Sequence, residues 1–293
     1  INNFLTQDKR LKSNLVNIYI TGVQIMNKKR KIQTKFYLDI ILIVVYLIIM
    51  EPLFTGLKWH EWIGLALGGA FIIHIIFNWK WIVECSKRFI KNMAPRIRVN
   101  YVLNFCLLIV AGFMLLSSLA IAKYTDFSWL HWIGLYYSIT WLKVHVTSAF
   151  LLLFIGAIHV GLHWKWIVSC FRKIFPFTYE MPNFLKSIFA FIVVAVGIYT
   201  VQYAELLTTL ERAFTIFDLT NFNQPNNEFI KVHGGGHGGG GDCKGIYSLT
   251  ETTSSISILV YIAVATMIAV ITHYLDLIII RLKKHIKSNN IIQ

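Results

Sequence analysis

His-Ile-Ile-Phe-Asn-Trp-Lys-Trp-Ile-Val at 74–83 recurs 85 residues later as His-Val-Gly-Leu-His-Trp-Lys-Trp-Ile-Val at 159–168. The same shift carries His60 onto His145, Cys85 onto Cys170 and Lys87 onto Arg172. Two histidines, a cysteine and a Trp-Lys-Trp run kept in one register mark a duplication. The segments upstream align at a shift of 65, with Phe-Tyr-Leu-Asp (36–39) over Tyr-Val-Leu-Asn (101–104). The second unit therefore has a connection 20 residues longer than the first, the difference between the two shifts.

The repeat is set in a chain of 293 residues that is 56% hydrophobic and 14% charged, with a mean hydropathy of +0.59, too apolar for a soluble domain. Its apolar residues gather into runs near 36–56, 60–83, 101–122, 142–168, 184–204 and 255–280. Each is about the 20 residues that a helix needs to cross a hydrocarbon core. The fold class expected is an all-α integral membrane bundle of about six transmembrane helices. Its core would be four helices from the duplicated hairpin, at 31–175, preceded by a basic N-terminus at 1–30. Two further helices would follow at 176–293, with an outer loop at 205–254. Met26, followed by Asn-Lys-Lys-Arg-Lys, reads as a more natural start than Ile1, so residues 1–25 are expected to lie outside the mature protein.

A net charge of +14 could point to nucleic acid, but the positives alternate along the chain. Lys28 to Lys31, Lys87 to Arg98, Lys165 to Lys186 and Arg281 to Lys287 fall in connections on one side. The connection between the last two runs holds mainly Glu and Asp. This is the positive-inside bias; it places both termini in the cytoplasm and excludes a nucleic-acid partner as its cause. The longer loop around 126–141, with Trp129, Trp132, Tyr136 and Trp141, has the aromatic density of a headgroup layer and reads as a short interfacial helix or loop.

In each hairpin the second helix carries histidines 14 residues apart, His60 with His74 and His145 with His159. Fourteen residues rise about 21 Å and return to within about 40° of the starting direction, so each pair shares one helix face. Set side by side and parallel, the two helices bring His60 level with His145 and His74 level with His159. Two axial imidazoles suit a b-type haem built for electron transfer, and two levels give two haems. Small residues between the histidines, Gly64, Gly68, Gly69 and Ala70 in one helix and Ser148, Ala149, Gly156 and Ala157 in the other, leave room for a porphyrin. With no CxxCH sequence, the haem would be held non-covalently. Intramembrane histidines also serve proton relays and divalent-metal transport, and that is the competing class. Such a transporter predicts acidic co-ligands within the helices, where the chain offers little beyond Asp39 and Glu61. A scaffold whose outer loop binds a partner is the third class.

The histidine pattern resembles that of the cytochrome b subunit of quinol-oxidising complexes. The hairpin ending in Asn-Trp-Lys-Trp or His-Trp-Lys-Trp is more similar to a bacterial domain family regarded as membrane b-type cytochromes, linked with flavin-based extracellular electron transfer. The likeness covers about residues 30–175. It implies two bis-histidine haems b on His60, His74, His145 and His159 and a place in the bacterial plasma membrane. Its implied partners are lipid, a quinone pool or a redox protein, and an extracytoplasmic flavoprotein. The implied activity is electron transfer between a quinol or cytoplasmic donor and an outer acceptor. Whether the chain itself reduces a substrate is left open.

Other motifs carry less. His233, His237, Asp242 and Cys243, within the glycine run at 232–243, present donors that zinc or copper accepts, although a plain tether is the commoner meaning of such composition. His131 reads as an interfacial residue near the outer haem. His163 aligns with Asn78, which argues against a duplicated ligand role. His273 and Asp276 are candidates for proton uptake, quinone binding or anchoring of the last helix. Lys and Arg at the inner helix ends are candidates for haem propionates. No Walker A or dinucleotide fingerprint appears, so a flavin would come with another polypeptide.

Overall fold

The computed structural model describes residues 30–89, 93–125, 127, 129, 137–175, 182–203 and 254–292. Among them there is no strand, and six helices are long and apolar enough to cross a membrane. The chain is a multi-pass, all-helical membrane protein. The spanning helices are α1 (Arg30–Ile49), α3 (Leu57–Arg88), α4 (Pro95–Ile121), α5 (Ile139–Ile174), α6 (Asn183–Tyr203) and α7 (Ser254–Ile292). A single turn, α2 (Pro52–Thr55), lies between α1 and α3.

Local chemistry sets the ends. α1 stops at Ile49, seven residues before the end of its apolar run, because Pro52 disfavours helical geometry in the residue before it. Gly56 then adopts a φ of 73° and turns the chain into α3, a left-handed conformation that a side chain would resist. Pro95 opens α4 at a position where its missing N–H costs nothing. Ser138 caps α5 by accepting from the Trp141 N–H at 3.2 Å. α3 and α5, at 32 and 36 residues, run well past their apolar runs and end in Lys87 and Arg88, and in Arg172 and Lys173. Those basic final turns extend beyond the roughly 30 Å hydrocarbon layer.

α5 is the most buried of the six spans and packs along α4 on one side and α7 on the other; α6 packs on α7. Gly161 and Gly197 bring α5 and α6 close to α7. A Cβ on Gly161 would lie 2.5 Å from the Ala269 carbonyl oxygen, and one on Gly197 would lie 2.5 Å from the Met267 Cβ. Around Val260 and Val264 of α7, Val201 and Ile268 complete a small apolar core. α3 packs only sparsely on α4, and hydrogen bonds tie it into the bundle instead. Glu61 accepts the backbone N–H groups of Lys123, Tyr124 and Thr125 at 2.8, 2.7 and 3.2 Å, clasping the end of α4. Tyr46 of α1 donates to the Ala149 carbonyl of α5. The outward surface is apolar, with Phe191 74%, Phe184 63% and Ile76 61% exposed, which lipid tolerates and water would not. Trp59, 63% exposed, lies near one end of α3 and Trp79, 58% exposed, near the other, where amphipathic rings suit headgroup layers.

Candidate cofactor site

The sparse contact between α3 and α4 leaves a cavity of about 2010 Å³ lined by residues from all six spanning helices. An ordinary small-molecule pocket is about 300 to 1,000 Å³. This cavity has room for more than one cofactor. His60, His74, His145 and His159 all line it, and its walls are otherwise largely apolar.

At the end of the bundle away from the basic turns, the rings of His60 and His145 have centroids 6.1 Å apart and planes 75° apart. An imidazole nitrogen sits about 2 Å from a first-row metal and about 1 Å from its own ring centre, so two imidazoles on opposite sides of one iron have ring centres about 6 Å apart. The observed separation matches that requirement. Ser117 and Ser118 hydroxyls stand 3.4 and 3.3 Å from His145 Nδ1, and each already donates to the Met114 carbonyl. Their free lone pairs can accept from Nδ1–H, leaving Nε2 as the donor atom. His60 Nδ1 is buried and has no hydrogen-bond partner.

At the basic end, His74 Nδ1 lies 2.7 Å from Asp39 Oδ1, and His159 Nδ1 lies 2.7 Å from Asn104 Oδ1. A carboxylate and an amide oxygen only accept, so both Nδ1 atoms carry hydrogen and both Nε2 atoms keep a lone pair. Metal-ligating histidines characteristically have their second nitrogen held in this way. Asn78 donates to the His74 carbonyl at 2.9 Å and passes 3.4 Å from His74 Nε2; it accepts in turn from Lys35 Nζ at 3.0 Å.

The remaining lining also suits a flat, wide group. A Cβ built on Gly64, Gly69 or Gly156 would meet nothing within 4 Å. Gly68 differs from the expectation that it clears space for a porphyrin: its Cβ would lie 2.6 Å from Leu115 Cδ2, so it serves contact between α3 and α4. At the level of His60 and His145 the ring spacing fits iron held between two imidazoles, and at the level of His74 and His159 what fits is the hydrogen-bonded Nδ1 of each ring.

Other expected positions resolve differently. Asp276 is buried and receives Arg96 at 2.7 Å, so the pair anchors α7 to the start of α4. His273 packs against Trp164 at a tilt, with centroids 6.2 Å and planes 54° apart. His163 lines the cavity, its ring 4.6 Å from that of His159. His131 and the loop set His233, His237, Asp242 and Cys243 lie outside the described residues.

Asp39 and Asn104 are the histidine partners that reading the histidines alone misses. A signal was present: the shift of 65 that aligns α1 with α4 pairs these two residues, as the shift of 85 pairs the histidines they hold. No protein-family model, curated protein or solved structure matches the chain.

Proposed function

We propose that the chain is a di-haem b-type membrane cytochrome that carries electrons across the membrane between a quinol, or another cytoplasmic-side donor, and an extracytoplasmic acceptor. The observation that carries this reading is the duplicated device at the basic end, where Asp39–His74 and Asn104–His159 each have a 2.7 Å hydrogen bond to Nδ1. It is joined by the 6.1 Å approach of His60 and His145 at the other end. Haem, when bound, supplies an iron that changes by one electron without making or breaking bonds. The chain's own work is to fix the imidazole planes, exclude water with apolar walls and keep two sites at separate depths. The basic helix ends face the cytoplasm in this reading, and the membrane is a bacterial plasma membrane.

Transport of a divalent metal draws less support. Among the described residues no group of three or more His, Cys, Asp or Glu side chains could hold a metal ion. Acids of the spanning helices are also committed elsewhere, Asp39 to His74, Glu61 to backbone amides and Asp276 to Arg96.

The test is electron transfer in proteoliposomes with ferricyanide trapped inside and dithionite added outside. Wild-type protein should bleach the trapped ferricyanide, whereas the His74→Ala and His145→Ala variants should leave it at the leak rate of protein-free vesicles. Equal rates in all samples would remove the electron-transfer reading.

A further inference from the structure

The two levels differ in what holds their histidines, and we infer that this difference directs electrons from the basic end of the bundle to the other by giving the basic-end haem the lower potential. The inference rests on the proposed occupancy of both levels by haem.

At the basic end His74 donates to a carboxylate and His159 to an amide oxygen, both at 2.7 Å. At the far end the acceptors are all uncharged: His145 has serine hydroxyls at 3.3 and 3.4 Å and the Met114 backbone carbonyl, and the His60 ring has the Ile49 backbone carbonyl beside it while its Nδ1 is unpartnered. A strong acceptor on the remote nitrogen draws its proton outward and makes the ligating nitrogen a better electron donor. A better donor favours the more highly charged oxidation state. The half-buried Asp39 carboxylate adds a negative charge in direct contact with the ligand. Both effects favour oxidised iron at the basic end; at the other end Glu51 and Glu61 line the cavity, but Glu61 is held by the backbone N–H groups after α4 rather than by an imidazole. Lys35, part-buried and bonded to Asn78, opposes the Asp39 charge, but it reaches His74 only through Asn78 whereas Asp39 bonds the ring itself.

The electron balance is simple. A quinol at the basic end gives up two electrons in succession and two protons to that side. With haem held at both levels, each electron would pass from the level of His74 and His159 to that of His60 and His145. It leaves to a one-electron acceptor of higher potential beyond. No covalent bond in the chain changes.

The experiment is a potentiometric titration of the detergent-purified haem-loaded protein, followed in the visible spectrum, with haem per chain measured in parallel. Wild type should show two one-electron steps. Asp39→Asn keeps an acceptor in place, as Asn104 already does for His159, but removes the charge. It should raise the lower step alone, by about a tenfold change in the oxidised-to-reduced ratio, or about 59 mV. Asn104→Asp should lower that same step. If either variant keeps two haems and moves the upper step, or neither step, the inference is overturned. Should Asp39→Asn lose haem, Asn104→Asp decides by the same criterion. Wild-type protein without haem would instead overturn the proposed function on which the inference depends.

Discussion

The helix glycines separate space that a cofactor needs from space that helices need, and the two kinds should respond oppositely to substitution. At Gly156 a new methyl group meets nothing within 4 Å, whereas at Gly161 it would lie 2.5 Å from the Ala269 oxygen and 2.7 Å from the Thr272 Cβ. Alanine is favoured over glycine in a helix interior by about 1 kcal/mol. Gly156→Ala should therefore raise the stability of the haem-free protein by roughly that amount. At Gly161 the same gain is set against overpacking of about 1 to 3 kcal/mol, since a backbone oxygen moves only if α7 moves. Gly161→Ala should end up destabilised by up to about 2 kcal/mol, several degrees in melting temperature for a chain of this size. Gly156→Leu should keep the fold and push a side chain into the cavity, with haem content falling. Thermal melts in detergent, followed by tryptophan fluorescence, and haem absorbance per chain measure both effects. Gly161→Ala melting above wild type, as Gly156→Ala should, would refute the packing argument. Gly156→Leu with a full haem complement would refute the assignment of that space to the cofactor.

Removing Arg96 leaves the Asp276 carboxylate buried without its cation. Arg96→Ala should cost about 2 to 4 kcal/mol, and adding Asp276→Asn should recover much of it, as read by melting of the single and double variants. Losing both partners at no lesser cost than Arg96 alone would contradict the role of buried charge. Glu61→Ala strips three backbone N–H groups at the end of α4 of their acceptor and should destabilise by about 1 to 3 kcal/mol in the same assay. An unchanged melt would show that the clasp is replaced by water. His163→Ala should retain both haems, because its repeat counterpart is Asn78; loss of one haem would make His163 a ligand.

Much of this arrangement is written in the sequence because a bilayer simplifies the code. Runs of apolar residues specify helices with little ambiguity, since backbone groups in hydrocarbon must be satisfied within the helix. The repeat register also pairs His60 with His145, and their rings lie together. Helix ends were less legible: α1 yields at Pro52, and α3 and α5 continue through their polar, basic turns because helix propensity outlasts hydrophobicity there. Gly68 and Gly156 look alike in sequence, yet only the neighbouring helix decides that one meets Leu115 and the other open space. Asp39 holding His74 depends on how α1 and α3 are rotated, which hydropathy does not encode. The alignment of Asp39 with Asn104 becomes meaningful only when that rotation is known.

The most direct test is haem per chain, taken from a reduced-minus-oxidised spectrum and a pyridine haemochrome of detergent-purified protein, with His74→Ala and His145→Ala prepared alongside. Two b haems in wild type, falling to about one in each variant because each removes one axial ligand from a different level, is the predicted result. A colourless protein from haem-replete cells, or variants that keep both haems, would contradict it.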